Sequence, residues 1–402
     1  MSPVKTAPAA LQVDDEQRRA QYIEEVLSLL YPGTGPDTVE YLVIPNARKP
    51  RLLVPADDRR LAAAAVRRYA EPQSRLAKLK RDAAVTALRT GMSGLLLRDR
   101  LRISPGADTI DAYLRGVLGT DVRLSVHIGP ARANRKPVLQ LLTPDGETIA
   151  FAKLGTSPLT RTLVRAEADA LAAIATASLS TLSVPSVLHA GQWGEHEVLV
   201  QSALPVWQPR VPLIAPRLTV AMREVAHCCG TSHGPLGSSG YWTRLRSRLT
   251  AIADHAEGGA LNAAAARIVH TGGHVDLAFG SWHGDWAPWN MASLADNVLV
   301  WDWERFTPGV PIGYDALHHA LQVGIGRAPS AGRAVNDLVN AAPGLLLPFN
   351  VGHRQAVEVT TLLYLIDLAT RYVTDRQAEA GARLGVLGSW LLPVLVARVE
   401  AL

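Results

Sequence analysis

The chain has 402 residues, of which 48% are hydrophobic and 19% are charged, and its formal net charge is +5. This length and composition are typical of a folded globular protein with two or three structural units, and they exclude a wholly disordered chain. Arginine and lysine are spread along the sequence instead of being concentrated in one stripe, so we expect no nucleic-acid partner.

The cysteines and the apolar segments bear on the cellular compartment. Cys228 and Cys229 are the only cysteines, and because they are adjacent they provide neither a disulfide framework nor a metal site of the usual spacing. Residues 1–19 lack the basic and apolar pattern of an export signal, and no stretch reaches about 18 uncharged apolar residues. We therefore expect a cytoplasmic protein without a membrane partner.

The first 106 residues predict a small α/β unit of their own, placed before the rest of the chain as an extension. In chain order, the predicted elements are a helix from Tyr22 to Pro32, strands at 41–44 and 51–54, helices at 58–69 and 73–90, and a strand at 95–103. Asn46, Ala47 and Arg48 would turn the first two strands into a hairpin.

Residues 107–205 predict five antiparallel strands with one helix after the third strand, preceded by a helix at 108–118. The strands are predicted at 122–128, 137–142 and 148–154, the helix at 159–177, and the last two strands within 186–203. This order is typical of the amino-terminal lobe of a kinase. The third part, residues 206–402, is mainly helical, with a loop-rich stretch at 280–313 and an apolar tail that predicts a packed terminal helix.

The loop-rich stretch contains the pattern H-x-D-x-x-x-x-N, formed by His283, Asp285 and Asn290, and Asp302 follows twelve residues after Asn290. Phosphoryl transfer needs a carboxylate that accepts or orients the proton of the attacking hydroxyl, and oxygen ligands that hold magnesium against the phosphates. Asp285 suits the first role. Asn290 and Asp302 suit the second, because a hairpin through residues 295–297 would bring Asp302 back beside Asn290.

These residues resemble the motifs of the aminoglycoside phosphotransferase and choline kinase family. The resemblance implies an α+β, bilobal protein-kinase-like fold, with a five-stranded antiparallel N-lobe and a mainly helical C-lobe, and it implies ATP and Mg²⁺ as cofactors. It further implies that His283 braces the catalytic loop, that Glu304 is the second acid of the D-x-E motif, and that Asp315 ties down the loop.

The resemblance extends to the predicted amino-terminal lobe, which should supply a lysine to the phosphates and a glutamate that holds this lysine. Lys153 at the end of the third strand and Glu167 on the following helix fit these roles. The backbone of Gln201 to Ala203 falls where the adenine should pass. The predicted phosphate-covering loop, residues 128–136, has one glycine where protein kinases have three.

Several further residues leave alternatives open. In the phosphate-covering loop, Arg132, Arg135 and Lys136 either bring charge to the phosphates or form a solvated basic hairpin. One of the two tryptophans that flank Asp285, Trp286 or Trp289, is a candidate wall for an acceptor pocket. The predicted structural residues are His227, Cys228 and Cys229 in a helix interior, His318 and His319 as packing or capping groups, and Gly230 to Gly240 as a surface loop.

Residues 341–402 contain five acids and five arginines, and this balance argues against a polycationic acceptor. The sequence therefore predicts an ATP-dependent phosphotransferase, using ATP or another nucleoside triphosphate, that acts on a hydroxyl of a sugar, a metabolite or an antibiotic-like compound. The alternative is a catalytically silent kinase-like protein that binds nucleotide or a partner. A protein kinase ranks last, because no Ala-Pro-Glu motif follows Asp302.

Overall fold

The computed structural model describes residues 21–68, 75–92, 97–129, 132–378 and 384–402. The chain divides into two compact units. Unit 1 consists of Met1–Arg165 and Pro185–Gln208, and unit 2 consists of Ala166–Val184 and Pro209–Leu402. Within the described ranges, no helix has both the length and the apolar character that crossing a bilayer requires.

Unit 1 is built on one antiparallel sheet of eight strands, in the order β3-β1-β2-β4-β5-β6-β9-β8. The strands are β1 (Val39–Ile44), β2 (Leu52–Pro55), β3 (Arg100–Ile103), β4 (Arg123–His127), β5 (Val138–Leu142), β6 (Thr148–Gly155), β8 (Val187–Trp193) and β9 (His196–Ser202). Strand β7 (Leu182–Ser183) belongs to unit 2.

The helices that begin in unit 1 are α1 (21–30), α2 (Arg59–Arg68), α3 (Arg75–Thr90), α4 (Ile110–Leu118) and α5 (Pro158–Ile174), whose second half lies in unit 2. Local chemistry explains the ends of α4. The Thr109 side chain accepts a hydrogen bond from the Ala112 N–H, and Gly119 ends the helix with a φ of 64°. A hydroxyl at the start and a left-handed glycine at the end are the usual caps of a helix.

Both faces of the sheet are covered where the amino-terminal strands lie. Tyr41 and Val43 of β1 join the core cluster that contains α1, while Leu42 between them joins the cluster formed with α2 and α3. Successive residues of a strand point to opposite faces, so β1 contributes to two hydrophobic cores at once.

The pairing of β2 connects the amino-terminal strands to the rest of the sheet. Leu52 and Leu53 of β2 pair with His127 and Val126 of β4, so the first three strands continue the sheet of the five predicted ones. The five predicted strands all form and adjoin in the order β4-β5-β6-β9-β8, but the sheet has eight strands. A free edge of β4 would leave its backbone groups without partners, and β2 supplies them.

Unit 2 is mainly helical. Its helices are α6 (Ala215–His227), α7 (Gly240–Ala251), α8 (Gly258–Gly272), α9 (Tyr314–Arg327), α10 (Ala331–Leu346), α11 (Arg354–Thr374) and α12 (Leu392–Glu400). Two small sheets complete it, one of β10 (Ser232–Pro235), β11 (Asp276–Trp282) and β14 (Thr307–Pro311), the other of β12 (Met291–Ser293), β13 (Val298–Val300) and β7.

The α+β class, the antiparallel sheet and the packed terminal helix agree with the predictions. Two local predictions are wrong: β10 occupies part of the predicted surface loop, and α6 ends at His227, so Cys228 caps the helix instead of lying inside it. Gly230, with a φ of 81°, turns the chain out of the helix. The division of the chain into three domains, with boundaries after residues 106 and 205, stays a prediction.

Part of the predicted pattern lies outside the described residues. This applies to residues 1–19, to the predicted helix start at Gln73 and to the predicted strand start at Leu95. It also applies to Glu379 and Arg383, which are among the five acids and five arginines counted in residues 341–402.

Candidate active site

The predicted catalytic loop, residues 283–290, begins where the buried strand β11 ends, after Trp282. Gly284 has a φ of 83°, and a Cβ atom placed there would lie 2.3 Å from the backbone oxygen of Arg305. A residue without a side chain is therefore required at this turn, because other residues disfavour the left-handed conformation and no space exists for a methyl group. The glycine of H-G-D thus sets the direction in which Asp285 leaves the strand.

Asp315, in the first turn of α9, holds the start of this loop. Its carboxylate oxygens accept hydrogen bonds from the backbone N–H of His283 at 2.8 Å and of Gly284 at 3.2 Å. Burial raises the pKa of Asp315 to about 7, against the opposing effect of these two donors. The Arg371 guanidinium donates to the carbonyl of Gly284 at 2.6 Å, so the loop is held from α9 and from α11.

His283 links the catalytic loop to the strand that precedes Asp302. Its Nδ1 accepts the backbone N–H of Asp285 at 3.2 Å, and its Nε2 donates to the carbonyl of Trp301 at 3.1 Å. Burial lowers the pKa of His283 to about 4, so the ring is neutral near pH 7 and can play both parts. His283 therefore bonds both to the backbone of Asp285 and to the residue before Asp302.

The Asp285 carboxylate is held through both of its oxygens. Its Oδ2 accepts from the Asn290 side-chain amide at 2.9 Å, and its Oδ1 lies 3.1 Å from Nε2 of His318. Burial alone would raise the pKa of Asp285, but the hydrogen bond from His318 and the nearby Arg371 charge outweigh it and lower the pKa to about 2. The side chain keeps 27% of its surface exposed, so a substrate hydroxyl can reach it.

His318 is a site residue that the sequence analysis missed, because it was expected to serve only packing or capping. It is fully buried on α9, and its Nδ1 lies 3.1 Å from the hydroxyl of Tyr364. The signal available in the sequence was spacing. His318 follows Asp315 by three residues, and residues at this separation share one face of a helix.

Asn290 connects Asp285 with the strand pair that carries Asp302. Its side-chain amide nitrogen also donates to the backbone oxygen of Asp285 at 2.9 Å. The backbone oxygen of Asn290 accepts the N–H of Trp301 at 3.1 Å. The hairpin expected through residues 295–297 joins β12 to β13, with the Leu294 N–H bonded to the Asn297 oxygen at 2.9 Å. The structure therefore brings Asn290 next to the residue that precedes Asp302.

Asp302 lies among acids directly after β13. It adopts a φ of 71°, which is uncommon for a residue other than glycine and often marks a functional position. Carboxylate oxygens of Glu167, Asp302 and Glu304 all lie within 4.8 Å of one another, and Glu167 also accepts the N–H of Trp303 at 3.2 Å. The sequence predicted Glu167 as the partner of a lysine, and the structure places it beside the predicted metal ligand.

The predicted nucleotide residues of unit 1 lie on the sheet. Lys153 in β6 is 6% exposed and pairs in register with Val138 and Leu199. The Ala203 N–H donates to the carbonyl of Ile149 at 3.1 Å, and Gln201 pairs with β6 on one side and β8 on the other. The Ala203 N–H is thus already bonded within the sheet of unit 1, and the adenine contact through the backbone of Gln201 to Ala203 stays a prediction.

The three basic residues of the loop between β4 and β5 differ in their surroundings. Arg132 is exposed, Lys136 is buried, and the Arg135 guanidinium lies over the ring of Tyr22 in α1 at 3.5 Å from its centroid. The structure thus engages Arg135 with the amino-terminal helix. Pro130 and Ala131 lie outside the described residues.

The two tryptophans that flank Asp285 differ in exposure. Trp286 is 1% exposed and contacts His283 edge to face at 5.9 Å between ring centroids, whereas Trp289 is 51% exposed. An exposed indole beside a catalytic loop is available for stacking, and a buried one is part of the packing. Of the two candidates for an acceptor wall, only Trp289 fits.

No protein-family model matches the chain, and no curated protein matches it. In structure it is similar to a thermostable mutant of the aminoglycoside phosphotransferase APH(4)-Ia with ADP and hygromycin B, at 12% identity, covering 73% of this chain and 98% of that chain, with a TM-score of 0.47. It is also similar to APH(2")-IIa with streptomycin and ATP, at 13% identity, covering 74% of this chain and 99% of that chain, with a TM-score of 0.43. A third similar structure is amicoumacin kinase hAmiN with AMP-PNP, Ca²⁺ and Ami, at 11% identity, covering 70% of this chain and 88% of that chain, with a TM-score of 0.40. These likenesses are distant, and the case for function rests on the site residues.

Proposed function

We propose that the protein is a magnesium-dependent phosphotransferase that moves the terminal phosphoryl group of ATP, or of another nucleoside triphosphate, to a hydroxyl of a small molecule. One observation carries the proposal. An ionised and partly exposed carboxylate, Asp285, is hydrogen-bonded to Asn290, which in turn binds the strand leading to Asp302. A carboxylate for the hydroxyl and oxygen ligands for a metal are the parts that phosphoryl transfer needs.

The low pKa of Asp285 indicates how it would act. A carboxylate with a pKa of about 2 is ionised at neutral pH, so it is able to accept a hydrogen bond. It accepts a hydrogen bond from the acceptor hydroxyl and aims its oxygen at the phosphorus atom. In a loose transition state little proton transfer has occurred when the phosphorus–oxygen bond breaks, so positioning is the main contribution of such a group.

The acids around Asp302 fit a divalent cation. Mg²⁺ prefers oxygen ligands, and carboxylate oxygens of Glu167, Asp302 and Glu304 lie within 4.8 Å of one another, so together they could coordinate one cation. Asn290 can add its amide oxygen, because its side-chain hydrogen bonds to Asp285 use the amide nitrogen. A bound ion would neutralise charge on the phosphates during transfer.

The acceptor that the site favours is a hydroxylated compound with a flat or apolar face and little positive charge. Trp289 exposes half of its surface, which suits stacking against a sugar or an aromatic ring. The equal numbers of acids and arginines between residues 341 and 402 do not provide the excess of negative charge that a polycation requires.

The test is ATP turnover with magnesium and a panel of sugars, metabolites and antibiotic-like alcohols, compared between wild type and Asp285→Asn. We expect turnover with at least one acceptor, and a loss of about 100-fold or more in kcat in the variant, because the acceptor hydroxyl is no longer positioned. The exposed Asp296 on the neighbouring hairpin offers a matched control, since Asp296→Asn makes the same change away from the site.

Nucleotide affinity separates catalysis from binding in this test. Asp285→Asn should bind a fluorescent ATP analogue as tightly as the wild type, because Asp285 is proposed to contact the acceptor. Tight nucleotide binding by the wild type without turnover of any acceptor would contradict the proposal and would favour the catalytically silent alternative.

A further inference from the structure

A buried hydrogen-bonded chain leads from α11 through α9 to the catalytic carboxylate. The Tyr364 hydroxyl lies 3.1 Å from Nδ1 of His318, and Nε2 of His318 lies 3.1 Å from Oδ1 of Asp285. Tyr364 and His318 are both fully buried, whereas Asp285 opens to solvent. This series of hydrogen bonds thus runs from the interior of unit 2 to the partly exposed carboxylate of Asp285.

The direction of the hydrogen bonds follows from the groups available. Oδ1 of the Asp285 carboxylate accepts, so Nε2 of His318 carries the proton and donates to it at 3.1 Å. Burial lowers the pKa of His318, so the ring is neutral, and its Nδ1 then accepts from the Tyr364 hydroxyl. The other polar neighbour of Nε2, the amide nitrogen of Gln322, is farther away at 3.4 Å.

Aromatic packing fixes the position of the imidazole. Trp282 contacts both His318 and Tyr364 edge to face, at 6.3 and 6.4 Å between ring centroids, and Tyr314 packs on Tyr364 at 5.6 Å. Side chains that are close-packed on several sides cannot change rotamer without displacing their neighbours. The donor that faces Asp285 is therefore held rigidly.

We propose that His318 is a positioning residue for the transfer reaction, which fixes the plane of the Asp285 carboxylate so that its remaining lone pairs face the acceptor hydroxyl. Asn290 holds the other oxygen of the same carboxylate, so His318 and Asn290 together remove its rotational freedom. This role rests on the proposed function of Asp285. The role predicts that loss of His318 slows the chemical step, because the Asp285 carboxylate is then less well oriented towards the acceptor hydroxyl. Nucleotide binding should not change, because Asp285 is proposed to contact the acceptor.

The test replaces His318 by leucine and by glutamine and measures magnesium-dependent ATP hydrolysis, with water as the hydroxyl, and then transfer to whichever alcohol the acceptor panel identifies. We expect His318→Leu to lower kcat by about 10- to 100-fold while the KM for ATP changes by less than about twofold. His318→Gln should recover part of kcat, because its amide N–H can occupy the place of Nε2–H.

A buried residue of the same helix controls for loss of stability. Leu321→Ala removes packing from α9 at a fully buried position that has no polar group, so it should lower the melting temperature and leave kcat unchanged. If His318→Leu lowers kcat no more than Leu321→Ala does, or if His318→Gln is as impaired as His318→Leu at equal melting temperature, the positioning role is wrong.

A second measurement decides whether the pair interacts in solution and does not depend on turnover. The urea midpoints of Asp285→Ala, His318→Leu and the double variant form a cycle, and the double variant should shift by less than the sum of the single shifts. Additive shifts would overturn the proposal at any level of activity. Coupled shifts without turnover of any acceptor by the wild type would instead refute the proposed function, and with it the role of His318 in catalysis.

Discussion

The catalytic loop depends on single residues whose backbone and ionisation states are set by their immediate surroundings. Gly284 supplies a left-handed turn against the backbone of Arg305, and Asp315 supplies a buried carboxylate that receives two N–H groups of the loop. Each makes a prediction that can be measured on the folded protein without knowledge of the acceptor.

Gly284→Ala should destabilise the protein and abolish turnover. The alanine must adopt a φ of 83°, and its methyl group would lie 2.3 Å from the Arg305 backbone oxygen. We therefore expect a loss of about 1–3 kcal/mol in the free energy of unfolding. Urea denaturation and ATP turnover check this. Gly194 provides the control, because it has a φ of 57° and a Cβ atom added there would have no other atom within 4 Å, so Gly194→Ala should show conformational strain without a clash.

Asp315 should make stability fall as the pH rises towards neutrality. Burial raises its folded-state pKa from 3.8 to about 7, so between these values the folded protein binds this proton more tightly than the unfolded chain. The stability that protonated Asp315 contributes is fully present below about pH 4 and is lost between about pH 4 and about pH 7. Within this range the free energy of unfolding falls by at most ~1.4 kcal/mol per pH unit, and above it the contribution no longer changes.

The pH effect is measured as the difference in unfolding free energy between wild type and Asp315→Asn, from about pH 5 to about pH 8. We expect the difference to become less favourable to the wild type as the pH rises, since asparagine does not titrate. The exposed Asp254, replaced by asparagine in the same series, provides the baseline. A difference that grows with pH would show that the two loop N–H groups outweigh burial.

At the scale of elements, the sequence left open whether the basic residues of the loop between β4 and β5 reach the phosphates or form a solvated hairpin. Arg135 stacks on Tyr22 of α1, so this charge stabilises the contact between a loop and a helix. A cation above an aromatic ring contributes about 0.5–2 kcal/mol, which makes a structural role for Arg135 sufficient by itself.

Nucleotide affinity should therefore depend on Lys153 much more than on Arg135. We expect Lys153→Ala to weaken binding of a fluorescent ATP analogue by about tenfold or more, since a charge-assisted hydrogen bond to phosphate is lost. Arg135→Ala should lower the melting temperature and change affinity by less than about threefold. Equal losses of affinity in both variants would mean that Arg135 reaches the phosphates after all.

At the scale of the whole molecule, the amino-terminal residues are part of the main sheet of unit 1. Tyr41, Val43 and Leu53 share a core cluster with Val126 and Leu139, and β2 pairs directly with β4. Burial of apolar surface contributes about 25 cal/mol per Å², so the removal of three strands and their covering helices would expose a large apolar area and a free strand edge.

A chain shortened to residues 107–402 should consequently fail to fold into a soluble monomer. Expression, size-exclusion chromatography and circular dichroism check this, with the full chain as the reference. A soluble, monomeric product that binds nucleotide as tightly as the full chain would show that the first 106 residues are a separate domain, as their sequence had suggested.

The sequence by itself determined the local features of this protein. Most strands and helices follow from periodicity and residue type within short windows. The spacing of His283, Asp285, Asn290 and Asp302 identified the candidate site, because these residues lie on consecutive elements.

Only the tertiary structure decided which distant segments meet. The pairing of β2 with β4, the stacking of Arg135 on Tyr22, the convergence of Glu167 on Asp302, and the contact of His318 with Asp285 each join residues of different elements. A pattern in the sequence reports which face of an element is buried, but it does not report what covers that face. The partner is chosen by packing and hydrogen bonding across the whole chain. For this reason His318, which was expected to pack or cap, lies against the carboxylate of Asp285.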